Sequence, residues 1–428
     1  MHFKEDFLQY IWKFRLFKNQ NLKTADGESL EILHVGLHNS HAGPDFENSK
    51  IKIADTVWAG NVEIHISSSD WNLHNHDGNQ AYDNVILHVV YKHDQEIFRM
   101  NGARIPVLVL EGLISEEVIS KYSILMHTVN WIPCEQIIGN VDQFHIKTWL
   151  SRILIERLES KLEQVNALLI EYNGSWEDAL YIMLAKNFGF KTNGIPFEML
   201  ARSLPNQILA KNKNNALQIE ALLFGQAGLL STKYVEEYPK MLLAEYSFLQ
   251  KKYKLDAINT SSWKFMRMRP QNFPTIRLAQ FSALILSTDH LFSKILEVNN
   301  VDSLKAIFEG HQINTYWNTH FIFDSISKNA SKNLGNKSVI NILINTVAVL
   351  LFGYGKHFKL SRYVNQAILL LESLPAEENG IVTRFKNIGV TTDKAFNSQA
   401  LLQLKGAYCD HKKCLSCGIG IKLLNVKP

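Results

Sequence analysis

The segment from Val85 to Tyr91 reads Val-Ile-Leu-His-Val-Val-Tyr and leaves few options for the fold around it. Its β-branched residues favour a strand, and its nearly continuous apolar character indicates that the strand is buried. Another short strand is predicted from Ile105 to Leu110. Asp26-Gly27 is typical of a two-residue hairpin turn, and it precedes a predicted strand from Ser29 to Val35. The first part of the chain is therefore predicted to build a sheet.

The pattern changes near residue 140, beyond which helical periodicity replaces the strand signals. Apolar residues from Ile146 to Val165 mark one long amphipathic helix, and Ser175 begins another with a capping-box pattern. A first helix is predicted at 5–17, and later ones at 197–203, 214–226, 238–253, 275–297, 315–328, 337–352 and 361–374. The predicted fold class is α+β or α/β. It combines a mixed-sheet domain at 1–138, a large all-helical domain at 139–400 and a cysteine-cluster tail at 401–428.

Composition sets the broad class of the protein. A chain of 428 residues with 46% hydrophobic and 20% charged residues is typical of a globular protein with two or three domains. The net charge of +4 is compatible with nucleic acid but is not diagnostic. The longest apolar run, Val339 to Phe352, is too short to span a bilayer and predicts a buried helix rather than a membrane anchor. Four cysteines and a charged N-terminus without a signal pattern favour the cytoplasm.

Two acidic residues stand in a strand–turn–strand pattern. Pro44-Asp45 precedes one predicted strand, and Glu63 lies eighteen positions after Asp45 in the partner strand, followed by Ile64 and His65. Crossing antiparallel strands could bring both carboxylates to one point. Two carboxylates and an imidazole form a hard divalent-metal site suited to Mg²⁺ or Mn²⁺, which activates water and neutralises phosphodiester charge. The alternative is a polar turn and a surface glutamate.

This pattern resembles the PD-(D/E)xK nuclease motif, with His65 where that superfamily usually has lysine. The resemblance implies a restriction-endonuclease-like mixed sheet, Asp45 and Glu63 as metal ligands, and nucleic acid, expected to be DNA, as the substrate. His65 would orient or deprotonate the attacking water, and Glu5 would supply the acid of the first helix. The stretch from Gly43 to Val90 also resembles an uncharacterised bacterial family, and we expect that likeness to extend over most of the chain.

Further polar residues surround the motif. Those that follow Glu63 could line the same cleft: Asp70, His74, His76, Asp77, Asp83 and His88. Of these, His76 and Asp77 could ligate a second metal or contact phosphate. The alternative is a solvated loop with one core histidine at position 88. His38, Asn39 and His41 precede Pro44 and are predicted to lie at the rim of the cleft.

A compact group of cysteines ends the chain. Cys409, Cys414 and Cys417 lie within nine residues, and His411 stands between the first two. His411 could complete a structural Zn²⁺ site, or Cys134 could complete a Cys₄ site that joins the tail to the first domain. The second arrangement resembles certain PD-(D/E)xK recombination nucleases, in which one upstream and three downstream cysteines hold a [4Fe–4S] cluster. Reduced thiols without a ligand are the alternative.

An arginine-rich loop precedes a predicted helix. Arg267, Arg269 and Arg277 could contact a nucleic-acid backbone, or they could pair with carboxylates between packed elements. The sequence has no phosphate-binding or nucleophile-elbow motif. The leading hypothesis is a metal-dependent nuclease. Two alternatives remain: an inactive nucleic-acid-binding or scaffold protein on a nuclease-like fold, and a metal-dependent hydrolase of another substrate that uses Glu63, His65, His74 and His76.

Overall fold

The computed structural model describes residues 3–298 and 300–425. The chain forms two compact units, one made of Met1–Trp149 with Leu404–Pro428 and the other of Leu150–Gln403. The helices and strands of the first part of the chain are α1 Glu5–Phe14, β1 Leu22–Lys23, β2 Ser29–His34, β3 Leu37–His38, β4 Phe46–Ile53, β5 Thr56–Ser67, α2 Asp70–Leu73, β6 Val85–Lys92, β7 Val107–Val109, α3 Glu116–His127 and α4 Gln143–Glu171.

The strands of the first unit build one seven-stranded sheet in the order β1-β2-β4-β5-β6-β7, with β3 paired to β4. Neighbours from β1 to β5 are antiparallel, whereas β6 is parallel to both β5 and β7. The sheet is therefore mixed, as predicted. The turn around Asp26-Gly27 connects β1 to β2, and Gly27 adopts the positive φ of 87° that favours glycine.

The apolar run that begins at Val85 is confirmed as a buried strand. Strand β6 lies between two parallel neighbours, and its residues from Val85 to Val90 are all buried. Val85 and Val90 belong to a core cluster with Trp71 and Ile105. Burial on both faces explains why this strand shows no alternation in its sequence. The strand thereby fixes the position of β5, which carries Glu63 and His65.

A bulge at the start of β4 sets the register of the two acidic residues. Phe46 pairs with Val62, but Ser49 pairs with Gly60, so β4 carries one extra residue in this interval. Asn48 takes up the irregularity with a left-handed φ of 57°. Gly60 is required here because a Cβ at this position would lie 2.5 Å from Ile86 Cγ2. The close approach lets β6 begin directly beside β5.

Helix α1 ends earlier than the predicted 5–17. It stops at Phe14 because Arg15 adopts a left-handed φ of 52° and donates its backbone N–H to Trp12. The helix buries an apolar stripe that includes Phe7, and the Phe7 ring stacks on Tyr122 of α3 with 4.1 Å between ring centroids. Its polar stripe, which carries Glu5, remains available to the candidate site.

The second unit is mainly helical. Its elements after α4 are α5 Trp176–Phe188, α6 Phe190–Ser203, α7 Asn206–Asn212, α8 Ala216–Gln226, α9 Glu237–Tyr253, α10 Pro274–Ser287, α11 Leu291–Glu297, α12 Val301–Ala306, β8 His320–Ile322, β9 Ser325–Ile326, α13 Asn336–Ile342, α14 Ala348–His357, α15 Ser361–Ser373, α16 Gly380–Asn387 and α17 Ala395–Gln403. The Ser175 hydroxyl accepts the Asp178 N–H, which confirms the predicted N-cap of α5.

The prediction of an all-helical second part is wrong at 315–328. This segment forms a 3₁₀ turn, Thr315–Asn318, and then the two-stranded hairpin β8–β9. Asp324 adopts a left-handed φ of 57° in the hairpin turn, which interrupts any continuous helix. Trp317 is fully buried and stacks on Phe224 with 5.2 Å between ring centroids. Tertiary packing of these aromatic rings therefore overrides the apparent helical period.

Three other predicted helices have different boundaries. The stretch 275–297 divides into α10 and α11 at His290, whose φ is 48°. Pro196, predicted at the start of a helix, lies within α6, which kinks at Asn193. The stretch 337–352 belongs to a longer helical run, Asn336–His357, with a π-helical turn at Leu343–Val347. This run is long and apolar enough to cross a membrane, but 72% of its apolar window is buried, as expected of a core helix.

The end of the chain returns to the first unit. A π-helical turn at Leu404–Cys409 and a 3₁₀ turn at Cys414–Ser416 precede helix α18, Gly418–Leu424. The Tyr10 hydroxyl donates to Asn425 Oδ1 at 3.0 Å. An added Cβ on Gly418 would lie 2.6 Å from the Trp149 ring, so only glycine permits this approach. The cysteine-rich tail is therefore packed into the fold of the first unit.

Candidate functional site

The two predicted acidic ligands are joined by reciprocal hydrogen bonds. The backbone N–H of Asp45 donates to Glu63 Oε2 at 3.0 Å, and the backbone N–H of Ile64 donates to Asp45 Oδ2 at 3.1 Å. Each carboxylate thus accepts from the segment that carries the other. Glu63 is 5% exposed, which is uncommon for a glutamate, and its charged-group partners among the described residues are histidines rather than lysine or arginine. The predicted convergence of the two acids is observed in the geometry.

Two imidazole rings lie close to the Glu63 carboxylate, and a third lies close to one of them. His76 Nε2 lies 3.3 Å from Glu63 Oε1, and His65 Nε2 lies 3.6 Å from the same oxygen. His74 Nδ1 is 3.1 Å from His65 Nε2. One ring nitrogen from each of these three histidines lies within 4.8 Å of the others. The separations of 3.1, 3.3 and 3.6 Å fit pairs of atoms that share one cation at bond lengths of about 2.0–2.2 Å.

The first helix adds two side chains to this cluster. Glu5 Oε1 lies 3.7 Å from His65 Nε2, so the expected acid of the first helix reaches the site. Gln9 Nε2 donates to Asp45 Oδ1 at 2.7 Å. Residues four positions apart lie on the same face of a helix, so the side chains of Glu5 and Gln9 both reach the cluster from α1.

Burial and charge repulsion raise the pKa values of the acids. Desolvation, followed by the neighbouring Glu63 charge, raises the pKa of Asp45 to about 7. Desolvation also raises the pKa of Glu63 to about 7, against the lowering effect of the Asp45 N–H. Burial and the Asp45 charge raise the pKa of Glu5 to about 7. Three acids with raised pKa values in one cluster indicate that a cation bound there would be strongly stabilised.

The buried histidines of the cluster do not supply this positive charge, because their pKa values are lowered. Burial, followed by the proximity of His88, lowers the pKa of His65 well below its ordinary value. Burial also lowers the pKa of His88 to about 3 and lowers the pKa of His76. The rings of His65, His76 and His88 are therefore neutral at pH 7, and His65 and His76 retain a nitrogen lone pair for a metal.

A second histidine orients His65. His65 Nδ1 lies 2.8 Å from His88 Nε2, and both rings are buried. When Nδ1 carries the hydrogen and donates to His88, Nε2 of His65 keeps its lone pair, which can accept a hydrogen from His74 or bind a cation. Within the described ranges, His88 Nδ1 is a buried atom with no hydrogen-bond partner. His88 was expected at the cleft or in the core, and it is a buried neighbour of the site.

Of the other predicted cleft residues, Asp70 and Asp77 influence the charges of this centre, whereas His38 has its contact elsewhere. Asp70 Oδ2 accepts the Ser67 N–H, and its charge contributes to the raised pKa of Glu5. Asp77 is exposed, and its charge acts on His76. The His38 ring lies 5.1 Å from the Phe46 ring, in the strand next to β4.

The loop before Pro44 is held by its own side chains. The exposed His41 donates its backbone N–H to Asn39 Oδ1 at 2.8 Å. Asn39 Nδ2 donates to the Pro44 carbonyl at 3.2 Å, which fixes the entry to Asp45. Asp83 is exposed at the C-cap of the 3₁₀ turn that begins at Gln80.

Two residues near the site were missed in the sequence. Gln9 shares the spacing of four with Glu5, and that spacing would have placed both residues on one helix face. Tyr82 stacks on the His76 ring with 3.8 Å between ring centroids and so fixes the plane of this imidazole. No local pattern marks Tyr82, because its contact depends on how the loop after α2 folds back.

All four cysteines of the chain lie in the first unit, and all have free thiols. Cys134, Cys414 and Cys417 are buried. Burial, followed by the proximity of Cys417 and Cys414, raises the pKa of Cys134 to about 12. The pKa of Cys409 is raised by burial and then by the other three cysteines. The charges of the four thiols influence one another, so the thiols share one neighbourhood and are of the donor type that a Cys₄ centre uses, whereas His411 is exposed to solvent.

The predicted arginine patch lies in the second unit. Arg267 and Arg269 are exposed. Arg277 is 6% exposed, and its guanidinium donates to Asn272 Oδ1 at 2.6 Å and to Gln280 Oε1 at 2.9 Å. These contacts hold the loop against α10, so burial leaves Arg277 little surface for a ligand.

The fold and this cluster define a mixed α+β protein with a candidate divalent-metal centre in its sheet-containing unit. The chain belongs to the family described as Protein of unknown function (DUF2851), whose model matches residues 5–380. The predicted likeness to a family without an assigned function is thereby confirmed over most of the chain. No curated protein and no solved structure matches the sequence.

Proposed function

We propose that this protein is a metal-dependent nuclease whose centre is formed by Asp45, Glu63 and His65. The observation that carries the proposal is the reciprocal bonding of Asp45 and Glu63, with Glu63 Oε1 3.6 Å from His65 Nε2. A divalent cation in this cluster would neutralise phosphate charge and ease deprotonation of the attacking water. The raised pKa values of the acids are those of groups that lack a counter-charge.

The order of elements supports a restriction-endonuclease-like core. Helix α1 precedes the antiparallel strands β2, β4 and β5, and the parallel strand β6 follows a short helical excursion. The resemblance implied this succession of a helix, several strands and a helical excursion. In it, Asp45 directly precedes β4, Glu63 lies on β5, and Glu5 lies on the preceding helix.

The types of ligand atom at the centre favour Mn²⁺ over Mg²⁺ as the cation. Carboxylate oxygens suit both ions, but imidazole nitrogens suit transition metals better than Mg²⁺. His74 and His76 add two such nitrogens beside Glu63. His65 replaces the lysine of the related motif with a neutral ring whose lowered pKa makes it a weak base, so it would bind the metal or orient the water rather than supply a fixed charge.

The cysteines are proposed to hold a structural metal centre. Cys134 joins Cys409, Cys414 and Cys417, and we propose that the four thiolates bind Zn²⁺ or a [4Fe–4S] cluster. Binding would deprotonate thiols that burial otherwise keeps protonated. Such a centre would stabilise the end of the chain against the first unit and take no part in hydrolysis.

A second candidate function is hydrolysis of a substrate other than nucleic acid. The close grouping of His65, His74 and His76 favours it, because three imidazoles and one carboxylate also suit Zn²⁺. Zinc retained at this centre, without affinity for nucleic acid, would support this candidate over the nuclease. Salt-dependent DNA binding without cleavage would instead support an inactive binding protein.

The test is cleavage of fluorescent DNA by the full chain after EDTA treatment and addition of Mn²⁺, Mg²⁺ or Zn²⁺. Asp45→Asn and Glu63→Gln should each lower Mn²⁺-dependent cleavage by about a hundredfold or more, since each removes an anionic ligand. Asp55→Asn and Glu47→Gln make the same chemical changes at exposed positions and should retain activity. Equal cleavage by the Asp45→Asn variant would contradict the proposal.

A further inference from the structure

A basic cleft adjoins the candidate metal centre in the first unit. Its volume is about 780 Å³, and its lining includes Lys4, Lys13, Lys412, Lys413 and Phe14. We call this the basic cleft. Asp6 is the one acidic residue in the described lining, so the lysines give the cleft a positive field at neutral pH.

One side chain, that of Gln9, connects the wall of the cleft to the acidic cluster. Gln9 lines the cleft, and its Nε2 donates to Asp45 Oδ1 at 2.7 Å. A bound chain in the cleft would therefore lie next to the carboxylates. Anionic polymers are attracted to the lysines, whereas the acids beyond Gln9 would admit phosphate only when a cation neutralises them.

The lysines of the cleft divide into two kinds. Lys412 Nζ donates to the carbonyls of Met126 at 2.6 Å and Thr128 at 3.1 Å, so it anchors the loop between Cys409 and Cys414. Lys4, Lys13 and Lys413 are exposed. These three ammonium groups come from both ends of α1 and from the cysteine loop, which spaces them along the cleft.

An exposed aromatic ring completes this surface. Phe14 is 38% exposed at the end of α1, and its ring packs against Tyr10 with 4.8 Å between ring centroids. The contact fixes the ring while it leaves part of it open to solvent. A fixed, open aromatic ring among lysines is the arrangement on which unpaired bases stack.

We propose that the basic cleft binds a single strand of nucleic acid, with phosphates at Lys4, Lys13 and Lys413 and a base on Phe14. The proposal rests on the proposed nuclease function and names the strandedness of its substrate. A duplex offers no unstacked base to Phe14, so the aromatic ring favours a single strand. The cysteine loop contributes Lys413, which gives the tail a role in strand binding.

The test is fluorescence anisotropy with a labelled single-stranded DNA oligonucleotide in EDTA, so that no cleavage occurs. The variant Lys4→Gln/Lys13→Gln/Lys413→Gln should bind about tenfold more weakly at about 100 mM salt, and its salt slope should fall by about 2, because three phosphate contacts are lost. Lys18→Gln/Lys23→Gln/Lys92→Gln removes three exposed lysines outside the cleft and should bind like the wild-type protein.

Two phenylalanine substitutions, one in the cleft and one outside it, give a second measure of binding. Phe14→Ala should weaken binding about fivefold or more through lost stacking. Phe144→Ala, at a ring that is 81% exposed and outside the cleft, should not weaken it. Circular dichroism of each variant checks that the fold is retained.

Three results would overturn the proposal: no binding by the wild-type protein, equal loss in the cleft and control lysine variants, or duplex DNA bound as tightly as the single strand. Binding that depends on the cleft, without any Mn²⁺-dependent cleavage, would leave the cleft assignment standing and reject the nuclease function. Failure of the two proposals can therefore be distinguished.

Discussion

The carboxylates of Asp45 and Glu63 each accept a backbone hydrogen bond from the segment that carries the other residue. These bonds hold the two carboxylates together despite their mutual repulsion. The Asp45 N–H reaches Glu63 Oε2 at 3.0 Å, while the Asp45 carboxylate accepts the Ile64 N–H at 3.1 Å. Backbone hydrogen bonds of this kind hold both side chains in position in the absence of a bound ligand. The energetic cost of this arrangement can be measured in the metal-free protein.

Glu63→Gln should stabilise the metal-free protein at pH 8. Burial raises the pKa of Glu63 to about 7, so its stabilising contribution is present below pH 4.5 and is lost as the pH rises through 7. A neutral amide avoids this loss, and we expect the thermal midpoint to rise by about 2 °C. Mn²⁺ should raise the midpoint of the wild-type protein but not that of this variant. Glu47→Gln should behave like the wild type, and a destabilised Glu63→Gln would contradict the argument.

His88→Leu should weaken metal binding by about 10–100-fold, because His65 would lose the partner that orients its ring. Isothermal titration with Mn²⁺ measures the affinity directly. Val89→Ala removes buried volume at the next residue of β6, away from the histidine pair, and serves as a control for general destabilisation. Equal affinities in the two variants would show that His88 has no positioning role.

Cys134→Ser should lower the metal content of the purified protein to the same extent as Cys414→Ser. The expectation follows from the mutual proximity of the buried thiols. His411→Gln should retain the metal, since His411 is exposed. Elemental analysis and visible absorbance measure the outcome and distinguish zinc from iron–sulfur. Loss of metal in His411→Gln, with retention in Cys134→Ser, would assign the fourth ligand to His411.

The second unit contains an independent pH-dependent group. Burial raises the pKa of Glu220 to about 7, although Asn314 Nδ2 donates to its Oε2 at 3.1 Å. Its stabilising contribution is therefore present below pH 4.5 and is lost as the pH rises through 7, by up to about 3 kcal/mol. Glu220→Gln should be more stable than wild type at pH 8 and similar at pH 4.5. Thermal unfolding across this range tests it, with the exposed Glu309→Gln as the control.

Local patterns in the sequence predicted several elements correctly. The β-branched run from Val85 forms the buried strand β6, and Ser175 caps α5. The proline before Asp45 and the strand around Glu63 predicted the hairpin that carries both acids. These features depend on residues within a few positions of one another, where backbone propensity and capping act directly.

Other predictions failed where distant contacts decide the conformation. The segment 315–328 has apolar residues at intervals compatible with a helix, yet Trp317 packs on Phe224 and the chain turns at Asp324. Helix α1 ends at Phe14 because the next residue is left-handed. Periodicity alone could not identify either point, because the first results from packing between elements far apart in the chain and the second from the backbone conformation of a single residue.

The sequence by itself determined which chemical groups are available: an acid pair at a fixed separation, histidines after it, and four thiols. Tertiary structure decided which of them meet. Gln9 reaches Asp45 across 36 residues, and His65 meets His88 because β5 pairs with β6. His74, at the end of α2, contacts His65 from outside these two strands. Side-chain direction and long-range packing bring such groups together, and neither is encoded in the spacing of neighbouring residues.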